Sequence, residues 1–318
     1  MSHVGSGNST IAGMSLGGGK KENFFFCLIE FYETENRWFL KSLYQVKEES
    51  NLTHDEVITT WVEGSDVKKM VVDFPLTRPP CETCHLVCPG TELCHNEEVT
   101  SVRSQMRALL GEDGKLVREN PKKYEQERLE DDKVQYSKSV LSKETKEHIL
   151  SKSFKRKLKK GFIPYWNRPI DFWVWKHYYD QLLSLFNISF DSFGNVSVML
   201  MHKFNYLLRH LPRDLKIMES DTYLCLIELY RAGIVNKRHL LDLKDISLSA
   251  LARVQIAKQI EAKLNVFIYE KDLELISKNP KAFDSFILAI IGRCYILGQL
   301  REIDIDEKRE SFIVPDFS

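Results

Sequence analysis

Four acidic residues stand where their carboxylates could act together on a metal ion. Asp73 follows the apolar run 69–72 and precedes a proline-rich stretch that must end the strand. Glu30 lies in an aromatic strand, Glu219 ends a short predicted strand, and Asp284 opens an apolar helix. Acids at strand ends lie at the mouth of an α/β sheet, where active sites tend to gather.

Each of these acids also has an ordinary structural interpretation. An Asp before a Pro is commonly a turn residue, and Asp284 in the first turn of a helix would complement the helix dipole. Glu30 lies among apolar neighbours, where a carboxylate is costly to bury without a partner. If the carboxylates converge, they need a hard cation such as Mg²⁺ or Mn²⁺, and paired metals of this kind cut phosphodiesters by activating water.

Four thiols lie within fourteen residues, at Cys81, Cys84, Cys88 and Cys94. Four soft ligands in so short a loop suit tetrahedral Zn²⁺, which would order a segment too poor in apolar residues to fold alone. An iron–sulfur cluster also takes four thiolates, and unliganded or disulfide-paired cysteines are the remaining alternative. With four sulfur ligands, a zinc site would be structural because no position stays open for catalysis.

A basic run follows in the second quarter of the chain, before several aromatic residues. Its six cations are Lys152, Lys155, Arg156, Lys157, Lys159 and Lys160. Such a run can neutralise phosphates, while neighbouring aromatic rings stack on unpaired bases. The alternative is a solvated helix face balanced by the acidic stretch 125–132.

The elements that would position these residues follow from periodicity and turn signals. Strands are predicted at 24–32, 38–46, 69–73 and 215–219, and the first two form a hairpin. A capping box, Thr53-His54-Asp55-Glu56, predicts a helix after it. Further helices are predicted at 172–185, 198–210, 221–231, 249–264 and 284–297.

The domain prediction places one α/β domain at 22–300. Residues 1–21 hold six of the fifteen glycines and predict a disordered tail without the apolar middle of a signal peptide. Within the domain we expect a Cys-rich insertion at 81–98 and a charged helical insertion at 99–160, with residues 301–318 as a C-terminal extension. No apolar run reaches about 18 residues, so no spanning helix and no membrane partner are expected, and a cytoplasmic location is favoured. Lys and Arg balance Asp and Glu at 45 each, so no global charge indicates a nucleic-acid partner.

The order of these motifs resembles a largely uncharacterised family of predicted nucleases with a ribonuclease-H-like fold, distantly similar to Holliday-junction resolvases. The segments that carry the resemblance are Asp73-Phe74-Pro75-Leu76, the strand ending at Glu219, and the helix beginning Phe283-Asp284. The resemblance covers roughly residues 24–76 and 160–300, and its motifs are short. It implies a mixed sheet flanked by helices, and an Asp in the first strand that falls here on Glu30. Some members of that family carry a similar cysteine cluster after the same Pro-Pro.

Two functions follow as hypotheses. The first is a metal-dependent nuclease acting on DNA or RNA, in which Glu30, Asp73, Glu219 and Asp284 hold Mg²⁺ or Mn²⁺ and a metal-bound water attacks. The second is a catalytically inactive nucleic-acid-binding or interaction protein on the same fold, with a structural zinc site. The departure from Asp to Glu at position 30 favours the second. A nucleotide-dependent ATPase is disfavoured because no strand precedes the only glycine-rich stretch, 17–19.

Overall fold

A computed structural model describes residues 9–17, 23–46, 53–122, 124, 167–188, 204–303 and 311–317. The chain divides into two compact units. The core unit comprises residues 1–76, 196–302 and 307–318, and the inserted unit comprises 77–195 and 303–306. The prediction of one domain at 22–300, with insertions at 81–98 and 99–160, stays a prediction, and the inserted unit at 77–195 includes both of those segments.

The first strand, β1, spans Ser9–Gly17. The prediction of a disordered tail over residues 1–21 is thus wrong for residues 9–17, while residues 1–8 and 18–22 lie outside the described part of the chain. Ile11, Ala12, Met14 and Leu16 are all buried in this strand. Gly13 and Ser15, two of the small residues that suggested disorder, lie in this closely packed strand.

The next elements form the predicted hairpin, helix and strand. Strand β2 spans Asn23–Tyr32 and β3 spans Arg37–Val46. Helix α1 covers His54–Gly64, and its capping box is confirmed, since Glu56 accepts the backbone N–H of Thr53 at 2.8 Å. Strand β4 spans Lys69–Val72, so Asp73 is the first residue after it.

Among its described residues, the inserted unit contains a 3₁₀ turn at Thr91–Leu93 and two helices. Helix α2 spans Glu97–Glu119 and α3 spans Pro169–Phe186. They pack through a small apolar cluster of Val102, Met106, Leu109, Phe172 and Trp175. At the start of α3, the buried Arg168 pairs with Asp171 at 2.9 Å.

The chain then returns to the core unit. Strand β5 spans Lys216–Glu219 and is followed by α4 at Thr222–Arg231, α5 at Lys237–Asp242 and α6 at Ser249–Leu264. Strand β6 is Val266–Phe267, α7 is Glu270–Lys278 and α8 is Pro280–Leu297. The bounds of α6 match the predicted helix, whereas α8 begins four residues before the predicted start.

The six strands form one mixed sheet in the order β5-β4-β1-β2-β3-β6. Strand β1 pairs in parallel with β4 and antiparallel with β2, and β4 pairs in parallel with β5. The protein is therefore an α/β protein with a mixed sheet flanked by helices, as predicted.

One face of the sheet packs against α1 and the helical turn at 204–207. Its core includes Met14, Phe26 and Met70 from three adjacent strands, with Val57 and Ile58 from α1. Burial of apolar surface of this kind supplies about 25 cal/mol per Å² and stabilises the sheet.

Helix α8 packs across β1, β2 and β4, with glycines at the closest approach. A Cβ atom on Gly13 would lie 2.2 Å from the carbonyl oxygen of Ser285, and one on Gly292 would lie 2.4 Å from Ile11. Gly13 needs to be glycine because the close atoms belong to the backbone of α8, whereas a side chain at Gly292 would displace the Ile11 side chain. Contact with β1 and β4 fixes the N-terminal turn of α8 relative to the strand ends. Among the described residues, no helix combines the length and apolarity that a membrane crossing needs.

Candidate functional site

Parallel pairing brings the carboxyl ends of β1, β4 and β5 to one edge of the sheet. In the register, Met14 lies opposite Val72, and Val72 lies opposite Glu219. The residues that follow Met14 and Val72 are Ser15, which is still in β1, and Asp73, which is the first residue after β4, so these two residues lie side by side.

Asp73 accepts hydrogen bonds from β1. The hydroxyl of Ser15 donates a short hydrogen bond to its Oδ2 atom, and the backbone N–H of Leu16 donates to Oδ1 at 3.1 Å. The Asp73 side chain is 11% exposed. Its carboxylate is therefore held by the neighbouring strand, which a simple turn residue would not require.

Lys281, in the first turn of α8, places its ammonium group between two carboxylates. Its Nζ atom lies 3.2 Å from Asp73 Oδ2 and 3.1 Å from Asp284 Oδ2. It also donates to the Ser15 hydroxyl at 3.1 Å. We call Ser15, Asp73, Lys281 and Asp284 the Lys281 cluster.

The charges of this cluster depend on one another. Burial by itself lowers the pKa of Lys281, but the nearby charges of Asp73 and Asp284 raise it above the ordinary lysine value. Burial raises the pKa of Asp284 to about 6, Lys281 opposes that rise, and the charge of Asp73 adds to it. Lys281 is therefore a fixed cation at neutral pH.

Asp221 adds a further carboxylate to this end of the sheet. It caps α4 by accepting the backbone N–H groups of Tyr223 at 2.7 Å and Leu224 at 3.3 Å. Burial raises the pKa of Asp221 to about 6 against the effect of these two hydrogen bonds, and the charges of Asp73 and Asp284 raise it further. Burial and the charges of Asp284 and Asp221 also raise the pKa of Tyr223 to about 12. Asp221 is thus electrostatically coupled to the Lys281 cluster.

Glu219 lies at the same edge of the sheet but has a different partner. Its Oε2 atom accepts the backbone N–H of Leu76 at 2.8 Å, and the residue is 4% exposed. This bond joins the end of β5 to the chain that leaves β4. Asp73 and Asp284 are thus brought together through Lys281, whereas the bond to Leu76 gives Glu219 a structural role.

Glu30 is not at this edge. It lies opposite Thr10, whereas Phe25 lies opposite Ser15, so five residues of β2 separate it from the cluster. At about 3.3 Å per residue that is roughly 17 Å. Its carboxylate contacts Lys41 at 2.8 Å and the Tyr32 hydroxyl at 3.1 Å. The assignment of Glu30 to the carboxylate site is therefore corrected: its partners are local, and they compensate the cost of burying it.

The residues present do not form a ready site for Mg²⁺ or Mn²⁺. Within the described ranges, no group of three or more His, Cys, Asp and Glu side chains is arranged to hold a metal ion. Oxygen-ligated cations need carboxylates that are free to turn toward them. Here Lys281 already neutralises the two acids that would serve best.

The contact between Ser15 and Lys281 invites comparison with a serine nucleophile activated by a lysine base. Ser15 is fully buried, so a substrate has no access to its hydroxyl. A lysine must be neutral to accept a proton, and the raised pKa of Lys281 keeps it charged. The pair does not suit nucleophilic catalysis.

The four cysteines of the inserted unit lie near one another. Burial raises the pKa of Cys81 to about 11, and charge interactions with Cys94, Cys88 and Cys84 contribute to the rise. None of the four is in a disulfide bond in the described part of the chain. They supply the sulfur donors that zinc prefers, but among the described residues they do not assemble into a ligand group. The basic run 152–160 lies outside the described residues.

The residues that sequence reasoning missed are Ser15, Asp221 and Lys281. A lysine in the first turn of a helix is unfavourable for the helix dipole, so Lys281 carried a signal that it has acidic partners. Asp221 lies two residues after the strand end at Glu219 and precedes an apolar helix, which is a recognisable N-cap pattern. Ser15 had no such signal, because its strand lies in a glycine-rich stretch whose composition predicts disorder.

No protein-family model, curated protein or solved structure was found to match this chain.

Proposed function

We propose that this protein binds nucleic acid without cutting it, on a ribonuclease-H-like scaffold whose metal position is taken by a lysine. The observation that carries the proposal is the placement of the Lys281 ammonium 3.2 Å from Asp73 and 3.1 Å from Asp284. The mixed sheet with β1 at its centre and helices on its faces supports the scaffold.

The electrostatics of the cluster support the absence of metal chemistry. A divalent cation would have to displace an ammonium group that is hydrogen-bonded to Ser15 and paired with two acids. Like charges at such distances repel strongly in a partly buried site. Lys281 thus neutralises Asp73 and Asp284, as a metal ion does in metal-dependent nucleases. Unlike a metal ion, it has no open coordination position at which to activate water.

Ser15 supports the same conclusion. If the chain shares the fold of the family it resembles, the first strand is β1, and the position beside Asp73 falls on Ser15 rather than on Glu30. A hydroxyl is neutral and a weaker ligand for hard cations than a carboxylate. Serine on β1 and lysine on α8 both reduce the affinity of the site for Mg²⁺ or Mn²⁺.

Nucleic acid is the proposed partner because of the basic run. Six cations within residues 152–160 can release counterions from a phosphate backbone, and the aromatic residues that follow, Phe162, Tyr165 and Trp166, can stack on bases. The proposed binding is therefore electrostatic and tolerant of sequence.

A second candidate, the metal-dependent nuclease, is favoured by one observation. Asp73 and Asp284 lie 3.2 Å and 3.1 Å from the same Lys281 nitrogen, and the charges of these two acids contribute to the raised pKa of Asp221. In this candidate Mn²⁺ or Mg²⁺ displaces Lys281, and Asp73, Asp221 and Asp284 become the ligands.

The test measures binding and cleavage separately. A labelled single-stranded oligonucleotide should bind in EDTA with an affinity that falls steeply with salt, and it should remain intact in millimolar Mn²⁺. Replacing Lys155, Arg156 and Lys157 by Glu should weaken binding and lower the salt slope by about 1 for each lost phosphate contact. Lys258, Lys263 and Lys278, which are exposed on α6 and α7, replaced by Glu make a control with the same charge change.

Three results would decide against the proposal. Equal loss of binding in both triple variants would mean that only net charge matters. Undiminished binding in the first variant would mean that the basic run is a solvated helix face and does not contact nucleic acid. Mn²⁺-dependent cleavage that Asp73→Asn abolishes would establish the nuclease.

A further inference from the structure

The C-terminal segment, residues 311–317, lies along the outer strand of the sheet. Strand β5 ends the sheet order, and an edge strand presents unpaired backbone groups that favour the addition of another strand. The segment pairs in parallel there, with Glu219 opposite Phe312. The Ile313 N–H donates to the Glu219 carbonyl at 2.9 Å, and the Glu219 N–H donates to the Ser311 carbonyl at 2.5 Å.

The other side of the segment is bonded to the chain that leaves α8. The N–H of Arg301 donates to the Val314 carbonyl at 2.9 Å, and the N–H of Asp316 donates to the Gln299 carbonyl at 2.9 Å. Leu300 and Pro315 form an antiparallel bridge. The segment therefore lies in a groove with two backbone walls, β5 and residues 299–301.

Apolar side chains anchor the segment in this groove. Ile313 is 6% exposed and Val314 is fully buried, whereas Ser311 and Phe312 are partly exposed. Backbone bonds on two sides combined with a few buried side chains are the features of peptide recognition by strand addition. Backbone pairing gives affinity, and the sites of Ile313 and Val314 give selectivity.

The groove adjoins the turn that carries two acids. The hydroxyl of Ser220 donates to the Ile313 carbonyl at 2.6 Å. On one side of Ser220, Glu219 accepts the Leu76 N–H, and on the other side Asp221 caps α4. The segment thus binds Ser220, the middle residue of the turn that carries the carboxylates of Glu219 and Asp221.

We propose that β5 and residues 299–301 form a docking groove for an extended peptide, that residues 311–317 are its resident ligand, and that occupancy positions Glu219 and Asp221. Without the segment, the backbone groups of Glu219 and the hydroxyl of Ser220 lose their partners, and the turn is released from one side. The groove would serve the same positioning role under either proposed function.

The experiment expels the segment from the full-length protein. Val314→Asp places a carboxylate in a fully buried position, which is costly without a partner. Amide exchange should then accelerate at least tenfold at Leu76, Tyr223 and Leu224, whose N–H groups are bound by Glu219 and Asp221. A synthetic peptide of residues 311–318 should bind this variant, restore the slow exchange, and bind the wild type far more weakly.

A milder pair of variants separates positioning from general destabilisation. Val314→Ala and Val57→Ala each shorten one buried valine of the core unit, the second on α1. Both should lower the melting temperature, but only Val314→Ala should selectively accelerate exchange at Tyr223 and Leu224. Equal acceleration in both variants, or failure of the peptide to bind Val314→Asp, would overturn the proposal. A dimer with exchanged segments would overturn the assignment of the chain's own segment as the ligand.

Discussion

The ammonium nitrogen of Lys281 lies 3.2 Å from the Oδ2 atom of Asp73, although one residue opens a helix near the end of the chain and the other follows an early strand. The same nitrogen contacts Asp284, three residues later on α8. This contact couples the position of α8 to the carboxyl end of β4. It also supports the proposed function, because a cation supplied by the protein lies between two acids that would otherwise attract one from solution.

Removing that cation should expose the repulsion between the acids. We expect Lys281→Met to lower the free energy of unfolding by about 1–3 kcal/mol at neutral pH in EDTA, because two partly buried carboxylates lose their partner. Millimolar Mn²⁺ should raise the melting temperature of the variant more than that of the wild type. Lys278→Met, which breaks only the exposed pair with Glu274, is the control and should change little. A Lys281→Met protein as stable as the wild type, with no response to Mn²⁺, would refute this role of Lys281.

The raised pKa values of Asp221 and Asp284 predict a pH dependence with a definite sign. An acid whose pKa is higher in the folded state contributes stability below its unfolded pKa of about 4, and this contribution is lost as pH rises through about 6. In Asp221→Asn the side chain cannot ionise, so the variant does not lose this stability as pH rises, and its amide oxygen can still cap the helix. Relative to the wild type, the variant should therefore gain about 1–3 kcal/mol between pH 4 and 7, as measured by urea unfolding.

Asp245→Asn is the control for that titration. Hydrogen bonds from Ser247 lower the pKa of Asp245, so its contribution to stability is present above the unfolded pKa and lost as pH falls. Between pH 4 and 7 that contribution is already present, so the stability difference between this variant and the wild type should stay nearly constant and should shrink only below about pH 4. The same slope for both variants would show that Asp221 is not coupled to the cluster.

Much of the architecture followed from local signals. The hairpin β2–β3, the capping box of α1, the strand before Asp73 and the bounds of α6 were readable because periodicity and capping are properties of neighbouring residues. These signals also placed Asp73 and Asp284 at element ends, where the structure brings both into contact with Lys281.

The rest depended on long-range packing. Strand β1 contains Gly13 because α8 lies directly above it, and the backbone of residues 285–289 is distant in sequence. Composition alone cannot distinguish a glycine required by such an approach from one in an unfolded tail. Because the glycine-rich composition conceals this strand and Ser15 with it, the sequence favours Glu30 as the first-strand acid, whereas the register of β1 with β2 places Glu30 five residues from the position opposite Ser15.

Gly13→Ala tests the close approach of β1 and α8. Its Cβ atom would lie 2.2 Å from the Ser285 carbonyl oxygen and 2.4 Å from the Ala289 nitrogen, so the helix or the strand must move. We expect a loss of about 3 kcal/mol or more in the free energy of unfolding. Gly111→Ala, at an exposed position of α2 with open space around it, should instead stabilise its helix by about 0.5–1 kcal/mol. Calorimetry of both variants checks the difference, and equal effects would contradict the packing described.

The cysteine loop gives a prediction about metal content. Four thiols at this spacing predict about one equivalent of zinc per chain, and Cys84→Ser should lose it together with local order around residues 81–94. Metal analysis by mass spectrometry is the measurement. Cys225→Ala, which alters a buried thiol of the core unit, should retain the zinc. Reduced wild-type protein with neither zinc nor iron and four freely titratable thiols would end the metal hypothesis.

Rebuilding the cluster tests whether Ser15 and Lys281 together keep divalent cations out. Ser15→Asp alone adds a carboxylate beside Asp73, but Lys281 lies 3.1 Å from that position and should pair with it. The single variant should therefore show no thermal response to Mn²⁺.

The double variant Ser15→Asp, Lys281→Ala has three carboxylates, which are the new one at position 15 and those of Asp73 and Asp284. It lacks the lysine that neutralises them. Their repulsion should lower stability in EDTA, and millimolar Mn²⁺ should restore it because the ion binds the folded state selectively. Ser15→Asn with Lys281→Ala has the same shape with one charge fewer and should respond less. If the double Asp variant unfolds at the same temperature with and without Mn²⁺, the two residues are not what excludes the metal.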